Sequence, residues 1–304
     1  MVSVCVTTYN HEKYVAQALD SIIAQKTKYS MEVLVGDDCS TDNTQAILRQ
    51  YEKQYPGFFK MFYRKRNMYH SIPTNSMDLR SRACGKYVII LEGDDYWTDN
   101  HKLEEQIDFL EGHQEYLAVA HNCVAVNETS QPNGENYPEC KENEYTLNHF
   151  LHGVVPGQLT TLMYRNNKAE RYFDDSVIEQ GLTPGDQLLY FSIISNGRIY
   201  CMQKIMSAYR HITQGGSSYS ANYKYRFEDA EKWNRALLQY SKNISNRDSQ
   251  DVAEQLYYNN IVSGIIRKHI SFSQARDYLR ILDKRCGRFI KYIVIVFGAI
   301  LHSR

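Results

Sequence analysis

Three acidic residues follow directly after the most apolar strand that the sequence predicts. Residues 87–91 form an unbroken apolar run of the kind that is buried on both faces of a sheet, and Glu92, Asp94 and Asp95 come next. Like charges at this spacing repel one another, so each one needs a cation or hydrogen-bond donors. A hard cation such as Mg2+ or Mn2+ would neutralise them, and a solvated turn that caps the following helix is the alternative.

Two other aspartates stand at similar positions. Asp38 follows the predicted strand 32–35, and its carboxylate could accept hydrogen bonds from a uracil imide or a ribose hydroxyl. Alternatively, Asp38 could cap the N-terminus of the helix that is predicted from residue 44. Asp186 stands in a Gly-Asp-Gln turn before an apolar helix at 188–194, where a capping role is the simplest interpretation.

The elements that position these residues alternate between strand and helix. The pattern predicts strands and helices in turn at 2–7, 11–25, 32–35, 44–55, 59–63, 74–83 and 87–91. This order predicts an α/β fold with a mostly parallel sheet and helices on both faces. Ligands of such sheets bind beyond the carboxyl ends of the strands, so we expect three polar groups to share that edge, namely residues 8–10, 37–38 and 94–95.

The character of the chain changes after about residue 212. Helical patterns dominate from there, at 226–241, 249–270 and 273–284. The stretch 289–301 is apolar with basic flanks, but it is shorter than the ~20 residues that a spanning helix needs. It is either an amphipathic helix on a membrane surface or a terminal helix that packs into a core.

Composition excludes several classes of protein. The 304 residues are 43% hydrophobic, with a formal net charge of zero and a pI near 7.1, which argues against nucleic acid as the partner. Seven cysteines without a CxxC pair predict neither a zinc site nor a disulfide framework, but buried, reduced thiols of a cytoplasmic protein. The N-terminus begins with a strand and has no secretory pattern. No glycine-rich phosphate loop of the dinucleotide-binding or P-loop type follows that strand.

Several short motifs, taken together, resemble glycosyltransferases of family 2, which have the GT-A fold. They occur in family order at 4–10 (VCVTTYN), 35–42 (VGDDCSTD), 85–97 (GKYVIILEGDDYW), 184–189 (PGDQLL), 209–211 (YRH) and 215–217 (GGS). The resemblance implies a GT-A, Rossmann-like catalytic domain at 1–218. A helical region at 219–304 would follow it, with a membrane-surface helix as its possible end.

The resemblance also implies which residues bind the nucleotide. Thr7 and Tyr9 would hold the base, Asp38 would bind its imide, and Glu92 would lie near the ribose. Arg66, in a basic run at 64–66, is a candidate for the donor diphosphate through charge-assisted hydrogen bonds. Glu92 departs from the family pattern because it replaces the commoner Asp, and Thr8 replaces the commoner Pro.

The remaining roles concern the metal and the chemistry. By resemblance Asp95 would be the direct ligand of Mg2+ or Mn2+, with Asp94 and His211 beside it, and Asp186 would be the general base. Arg210 would stabilise the charge of the departing diphosphate. The family histidine usually comes two residues after the arginine, whereas His211 here is adjacent to Arg210.

The resemblance implies inverting transfer of a sugar from a nucleotide-sugar, with a UDP-sugar favoured, to a hydroxyl of a glycan or lipid-linked glycan. Surface polysaccharide synthesis in the cytoplasm, at the inner face of the membrane, is the expected setting. The main alternative is a catalytically silent protein that binds nucleotides or glycans. A nucleotidyltransferase would need a glycine-rich basic loop, which residues 11–13 do not supply, and a purely structural membrane module would depend on residues 284–304.

Overall fold

The structure is a computed structural model that describes residues 1–69, 71, 73–166, 185–212 and 224–282. The chain divides into two compact units, Met1–Tyr223 and Lys224–Arg304. The predicted domain boundary at residue 218 falls outside the described residues and stays a prediction.

The first unit contains a nine-stranded sheet with helices. Its first elements are β1 (Val2–Thr8), α1 (Val15–Ile23), β2 (Met31–Asp37), α2 (Thr44–Gln54), β3 (Phe59–Tyr63), α3 (Asn75–Arg82), β4 (Tyr87–Glu92) and β5 (Tyr96–Trp97). These are followed by α4 (Lys102–Gly112), β6 (Tyr116–Val126), β7 (Glu144–Tyr145), α5 (Leu147–Leu151), a 3-10 helix (Leu159–Thr161), β8 (Met163–Arg165), α6 (Gly185–Asn196) and β9 (Arg198–Arg210). The strand order is β3-β2-β1-β4-β8-β6-β9-β5, and β7 pairs with β9.

The long pairings of the sheet are parallel. β1 pairs in parallel with β2 and β4, β2 pairs with β3, and β6 pairs with β9. The antiparallel pairings all involve the short strands β5, β7 and β8. The prediction of an α/β fold with a mostly parallel sheet is therefore confirmed.

The core forms because strands and helices present apolar faces to one another. In α1, Val15, Ala18, Leu19 and Ile22 are buried at helical spacing, and they belong to the same hydrophobic cluster as Val4 of β1. The helix is shorter than the predicted 11–25, because residues 11–14 are used for the turn that leaves β1.

The register of the sheet brings the polar strand ends together. Thr8 lies opposite Asp37 across β1 and β2, and Thr7 lies opposite Glu92 across β1 and β4. The carboxyl ends of three neighbouring parallel strands therefore meet at one edge, as expected for a ligand-binding edge.

The second unit consists, in its described part, of α7 (Phe227–Asn243), α8 (Arg247–Ile266) and α9 (Phe272–Leu279). An apolar cluster that includes Phe227, Tyr257 and Ile261 holds them together. The stretch 289–301 lies outside the described residues. Where the structure describes the chain, no helix combines the length and hydropathy needed to cross a bilayer.

The thiols differ partly from the prediction. Cys5, Cys123, Cys140 and Cys201 are buried and free, as expected. The prediction is wrong for Cys84, which is exposed because it lies in the turn between α3 and β4, and Cys39 is only half-buried. The seventh cysteine, at position 286, is outside the described residues.

Candidate active site

The turn between β4 and β5 holds a fully buried carboxylate. Asp95 is 1% exposed, and its backbone N–H donates to the carbonyl of Glu92 over 3.0 Å, which closes the turn. Asp95 Oδ1 accepts a hydrogen bond of 2.8 Å from the backbone N–H of Arg210, and Oδ2 accepts one of 2.9 Å from Thr160 Oγ1. Donors from β9 and from the 3-10 helix thus fix the orientation of this carboxylate.

The same turn lies close against the end of β1. The N–H of Gly93 donates to the carbonyl of Thr7 over 2.8 Å. A Cβ at position 93 would lie 2.9 Å from both Thr8 Cβ and His11 Nδ1, so only glycine allows this approach. Glu92 Oε2, on one side of the turn, accepts a hydrogen bond of 2.8 Å from Gln158 Nε2.

The carboxylates of this site carry more negative charge than the surrounding hydrogen-bond donors can balance. Burial and the nearby charges of Asp94 and Asp186 raise the pKa of Glu92 to about 8. Burial and the charges of Asp94 and Glu92 hold the pKa of Asp95 well above its usual range. Such a cluster binds a proton or a cation more readily than isolated carboxylates do.

The charge of Asp186 acts on Glu92, although the two residues are about 90 positions apart in sequence. Asp186 lies in the first turn of α6, where its Oδ1 accepts a hydrogen bond of 2.9 Å from the N–H of Gln187. Burial raises the pKa of its carboxyl, and its charge contributes to the raised pKa of Glu92. Asp186 therefore lies within electrostatic reach of the β4 turn.

The acidic turn offers carboxylate oxygens, the ligands that a hard divalent cation prefers. None of the described residues form a group of three His, Cys, Asp or Glu side chains that could hold a metal by itself. Mg2+ commonly takes only one or two protein carboxylates and completes its shell with phosphate oxygens and water. Asp95 has a second lone pair on each oxygen, and a cation would relieve the crowding with Asp94. The residues therefore fit a cation that the donor diphosphate helps to bind.

Arg210 and His211 have surroundings that the sequence did not predict. Arg210 is 2% exposed, and all five N–H groups of its guanidinium donate to protein acceptors. His211 Nδ1 pairs with Glu135 Oε2. Among the described residues, the side chains of Asp94, Asp95 and His211 do not come together as one metal-binding group.

The nucleotide-binding candidates lie at the ends of β1 and β2. The N–H of Asp38 donates to the carbonyl of Thr8 over 2.9 Å, and Asp38 Oδ1 accepts a hydrogen bond of 2.7 Å from the N–H of Met68. Burial raises the pKa of Asp38. Thr7 and Tyr9 flank Thr8, so these candidates share the edge that the sheet register defines.

The basic run at 64–66 has two different environments. Arg64 Nη2 forms an ion pair of 2.6 Å with Asp78 Oδ2, and its Nε donates to Asn75. Arg66 is exposed in the loop after β3. Of these two, Arg66 is the one whose side chain faces solvent, and its contact with a diphosphate remains a prediction.

Sequence reasoning missed three residues of the site. Gln158 and Thr160 bind Glu92 and Asp95, and His11 Nε2 lies 3.7 Å from Asp94 Oδ2. Gln158 caps the 3-10 helix that contains Thr160, and no motif marks this segment. His11 follows the first motif directly, and its position after a strand end was the one signal that could have identified it.

Comparison with known proteins places the chain in a family. The model of glycosyl transferase family 2 matches residues 3–173, more than half of the 304 residues. The chain therefore belongs to glycosyl transferase family 2.

Individual relatives agree with this assignment. An uncharacterised protein of Mycobacterium tuberculosis is 31% identical over 213 residues, which are 70% of this chain and 59% of that protein. The poly(ribitol-phosphate) beta-N-acetylglucosaminyltransferase TarS of Staphylococcus aureus is 25% identical over 285 residues, which are 91% of this chain and 45% of TarS. The chain thus spans less than two thirds of the length of either relative.

Solved structures confirm the GT-A fold. Residues 1–349 of S. aureus TarS in complex with UDP-GlcNAc superpose with a TM-score of 0.63 and 22% identity, over 98% of this chain and 81% of that one. The mannosyltransferase PcManGT from Pyrobaculum calidifontis, in complex with GDP-Man and Mn2+, gives a TM-score of 0.51 and 15% identity, over 99% and 86% of the two chains.

Proposed function

We propose that the chain is an inverting, metal-dependent glycosyltransferase that moves a sugar from a nucleotide-sugar to an acceptor hydroxyl. UDP is the proposed nucleotide, and a glycan or lipid-linked glycan is the proposed acceptor. The observation that carries the proposal is the group of buried carboxylates at the end of β4, where the charge of Asp186 contributes to the raised pKa of Glu92 and the charge of Glu92 contributes to the raised pKa of Asp95. Family membership supports the same reaction class.

The residues divide into a nucleotide side and a reaction side. In this proposal Thr7, Tyr9 and Asp38 hold the nucleobase at the ends of β1 and β2. Glu92 binds the ribose, and Arg66 approaches the diphosphate from the loop after β3. The sheet register supports this division, because β1 lies between β2 and β4.

The reaction itself needs a charge acceptor and a base. When bound, Mg2+ or Mn2+ supplies positive charge to the leaving diphosphate, and Asp95 with Asp94 would hold it. Asp186 removes the proton of the acceptor hydroxyl while that oxygen attacks the anomeric carbon from the opposite face. Its raised pKa suits this role, because a base works best when its pKa lies near the working pH.

The relatives support the finer parts of the proposal. TarS is named for transfer to poly(ribitol-phosphate), and its structure holds UDP-GlcNAc. PcManGT was solved with GDP-Man and Mn2+. We extend these properties to a surface polymer acceptor and a cytoplasmic enzyme, with a catalytic domain at 1–218. The helical region at 219–304 would then touch the inner face of the membrane through residues 284–304.

A donor screen tests the proposed function. The purified chain with Mn2+ is mixed with UDP-, GDP- and dTDP-sugars, and thermal stability and slow donor hydrolysis are measured. A ligand at about 100 times its Kd stabilises the native state by about 2.7 kcal/mol, so the true donor should raise the melting temperature clearly. If no nucleotide-sugar stabilises the protein, the proposal is wrong. Stabilisation without hydrolysis or transfer would favour the silent binding protein instead.

A further inference from the structure

A fully buried lysine and a fully buried glutamine lie one turn apart on α4. Lys102 and Gln106 are both 0% exposed, and Lys102 Nζ donates a hydrogen bond of 2.7 Å to Gln106 Oε1. The same amine lies 4.4 Å from the centre of the Trp97 ring. Burial lowers the pKa of the Lys102 amine well below its usual range. Burying an amine costs free energy even where it is bonded, so packing alone does not account for this pair.

Lys102 determines which way the amide of Gln106 points. Because the amine of Lys102 donates to it, the side-chain oxygen of Gln106 faces the lysine and the amide nitrogen faces away. Gln106 Nε2 then donates to the carbonyls of Val119, at 3.0 Å, and of Thr161, at 2.8 Å. A flipped amide would place its oxygen against these two carbonyls and leave both without a donor. The lysine therefore selects the orientation in which Gln106 binds the backbone of the 3-10 helix.

Two side chains together fix the backbone of the 3-10 helix at its last two residues. Gln106 Nε2 binds the carbonyl of Thr161, and Trp97 Nε1 donates to the carbonyl of Thr160 over 3.3 Å. Lys102 contacts both of these donors, one by its hydrogen bond and the other by its position over the indole ring. The two carbonyls are thus held by donors that the same buried amine helps to place.

The side chains of the same segment bind the acidic turn. Thr160 Oγ1 donates to Asp95 Oδ2 over 2.9 Å, and Gln158 Nε2 donates to Glu92 Oε2 over 2.8 Å. Gln158 Oε1 also accepts a hydrogen bond of 2.6 Å from the N–H of Thr160, which couples the two donors to each other. A continuous set of buried contacts therefore runs from α4 through the 3-10 helix to two carboxylates of the site.

We propose that Lys102 and Gln106 are positioning residues that hold Asp95 in the orientation that binds the cation of the donor complex. This inference rests on the proposed function, in which Asp95 is a ligand of Mg2+ or Mn2+. Altering the hydrogen-bond partner of a metal ligand commonly changes metal affinity or activity by about 10- to 100-fold. Lys102 and Gln106 act one step further out, through Thr160 and Thr161, so we expect an effect near the lower end of that range.

Binding of Mn2+ in the presence of UDP tests this role without relying on turnover. Electron paramagnetic resonance measures the free Mn2+ in solutions of the full chain with UDP, at a temperature at which circular dichroism shows a folded protein. Gln106→Met removes both N–H donors at similar side-chain volume and should raise the Kd for Mn2+ about tenfold. Lys102→Met should raise it as well, because the Gln106 amide loses the donor that orients it. Calorimetric titration with UDP alone should give the wild-type Kd in both variants.

Matched controls make the same substitutions at exposed residues that contact α4. Gln114→Met removes an amide that donates to the carbonyls of Leu110 and Glu111. Lys28→Met removes an amine that pairs with Asp108. Neither residue contacts the 3-10 helix in these bonds, so both variants should bind Mn2+ with the wild-type Kd.

Lys102→Met also covers the case in which Gln106→Met does not fold. It removes a buried amine and keeps a side chain of similar length, a change that is often neutral or stabilising. A purely structural role would change the melting temperature and leave the Kd for Mn2+ at the wild-type value. A wild-type Kd for Mn2+ in either folded variant would overturn the assignment of that residue. If the wild type itself binds no Mn2+ in the presence of UDP, the metal-dependent function is contradicted, and this inference with it.

Discussion

The backbone N–H of Arg210 donates a hydrogen bond of 2.8 Å to Asp95 Oδ1, and its guanidinium Nε donates one of 2.8 Å to the carbonyl of Asp94. The other four N–H groups donate to Gln17 of α1 and to three acceptors in the loop after β6, which belong to Asn127, Glu128 and Ser130. One buried residue at the end of β9 therefore ties the acidic turn to α1 and to that loop. This arrangement makes Arg210 a positioning residue for Asp95.

Arg210→Lys should reduce both stability and activity. Lysine keeps the charge and the backbone bond, but its three donors cannot reach the acceptors that the planar guanidinium reaches. We expect a loss of at least about 2 kcal/mol in the free energy of unfolding, because buried acceptors lose their donors. Urea unfolding followed by circular dichroism measures this loss, and a transfer assay should show a parallel decrease.

The control is Arg66→Lys, at an exposed position, which should change the free energy of unfolding by less than about 0.5 kcal/mol. If Arg210→Lys is as stable as the wild type, the five hydrogen bonds of the guanidinium contribute little to the free energy of unfolding.

Removal of divalent cations should abolish transfer. Among the contacts that the described residues make, no Lys or Arg side chain binds the carboxylates of Glu92, Asp94 and Asp95, and His11 Nε2 lies 3.7 Å from Asp94 Oδ2. EDTA should lower the transfer rate about 100-fold or more, and added Mn2+ should restore it. Asp95→Ala should then need a much higher Mn2+ concentration for half-maximal rate.

The matched control for the metal is Asp108→Ala, which removes an exposed carboxylate on α4. Its Mn2+ dependence should equal that of the wild type. Full wild-type activity after exhaustive EDTA treatment would contradict the metal assignment.

Asp186→Asn should remove catalysis and preserve nucleotide binding. Loss of a general base commonly costs about 10² to 10⁴ in rate, whereas the nucleotide contacts lie at the ends of β1 and β2. Transfer kinetics and calorimetric titration with UDP measure the two effects separately. Asp186→Glu retains a carboxylate and should keep more activity than Asp186→Asn. Transfer at the wild-type rate by Asp186→Asn would eliminate this residue as the base.

The pH profile gives a further test of the same residue. Burial raises the pKa of Asp186, so the base becomes protonated at a higher pH than an ordinary aspartate does. The kcat/KM for transfer should therefore fall as the pH is lowered, with an acidic limb above the ordinary value of 3.8. A limb at or below that value would contradict the buried setting of the base.

The sheet edge was predictable from sequence because it depends on regular structure. Strand hydrophobicity predicts β1, β2 and β4, and the parallel arrangement then requires their carboxyl ends to meet. Gln158 and Thr160 were not predictable, because they reach the acidic turn from a short 3-10 helix and its N-cap, more than 60 residues away. Periodicity contains no information about such long-range contacts.

His211 shows a second limit of sequence reasoning. A motif match suggests that a residue has the family's role, but strand alternation decides where its side chain points. In the structure His211 pairs with Glu135, and its role at the metal stays a prediction.

Glu32→Gln should destabilise the protein in a pH-dependent way. Burial alone would raise the pKa of Glu32, but hydrogen bonds from Lys60, from Ser3 and from the N–H of Cys84 lower it to about 2. Because the pKa in the folded state is below the unfolded value of 4.5, the contribution is present above pH 4.5 and is lost as the pH falls towards 2. We expect Glu32→Gln to cost about 2 kcal/mol at pH 7, less than the full shift implies because Lys60 is largely exposed. Urea unfolding between pH 2 and pH 7 should show the difference from wild type shrinking at low pH, while the exposed control Glu115→Gln stays near wild type throughout. A difference that does not change with pH would mean that the ionised carboxylate is not the stabilising species.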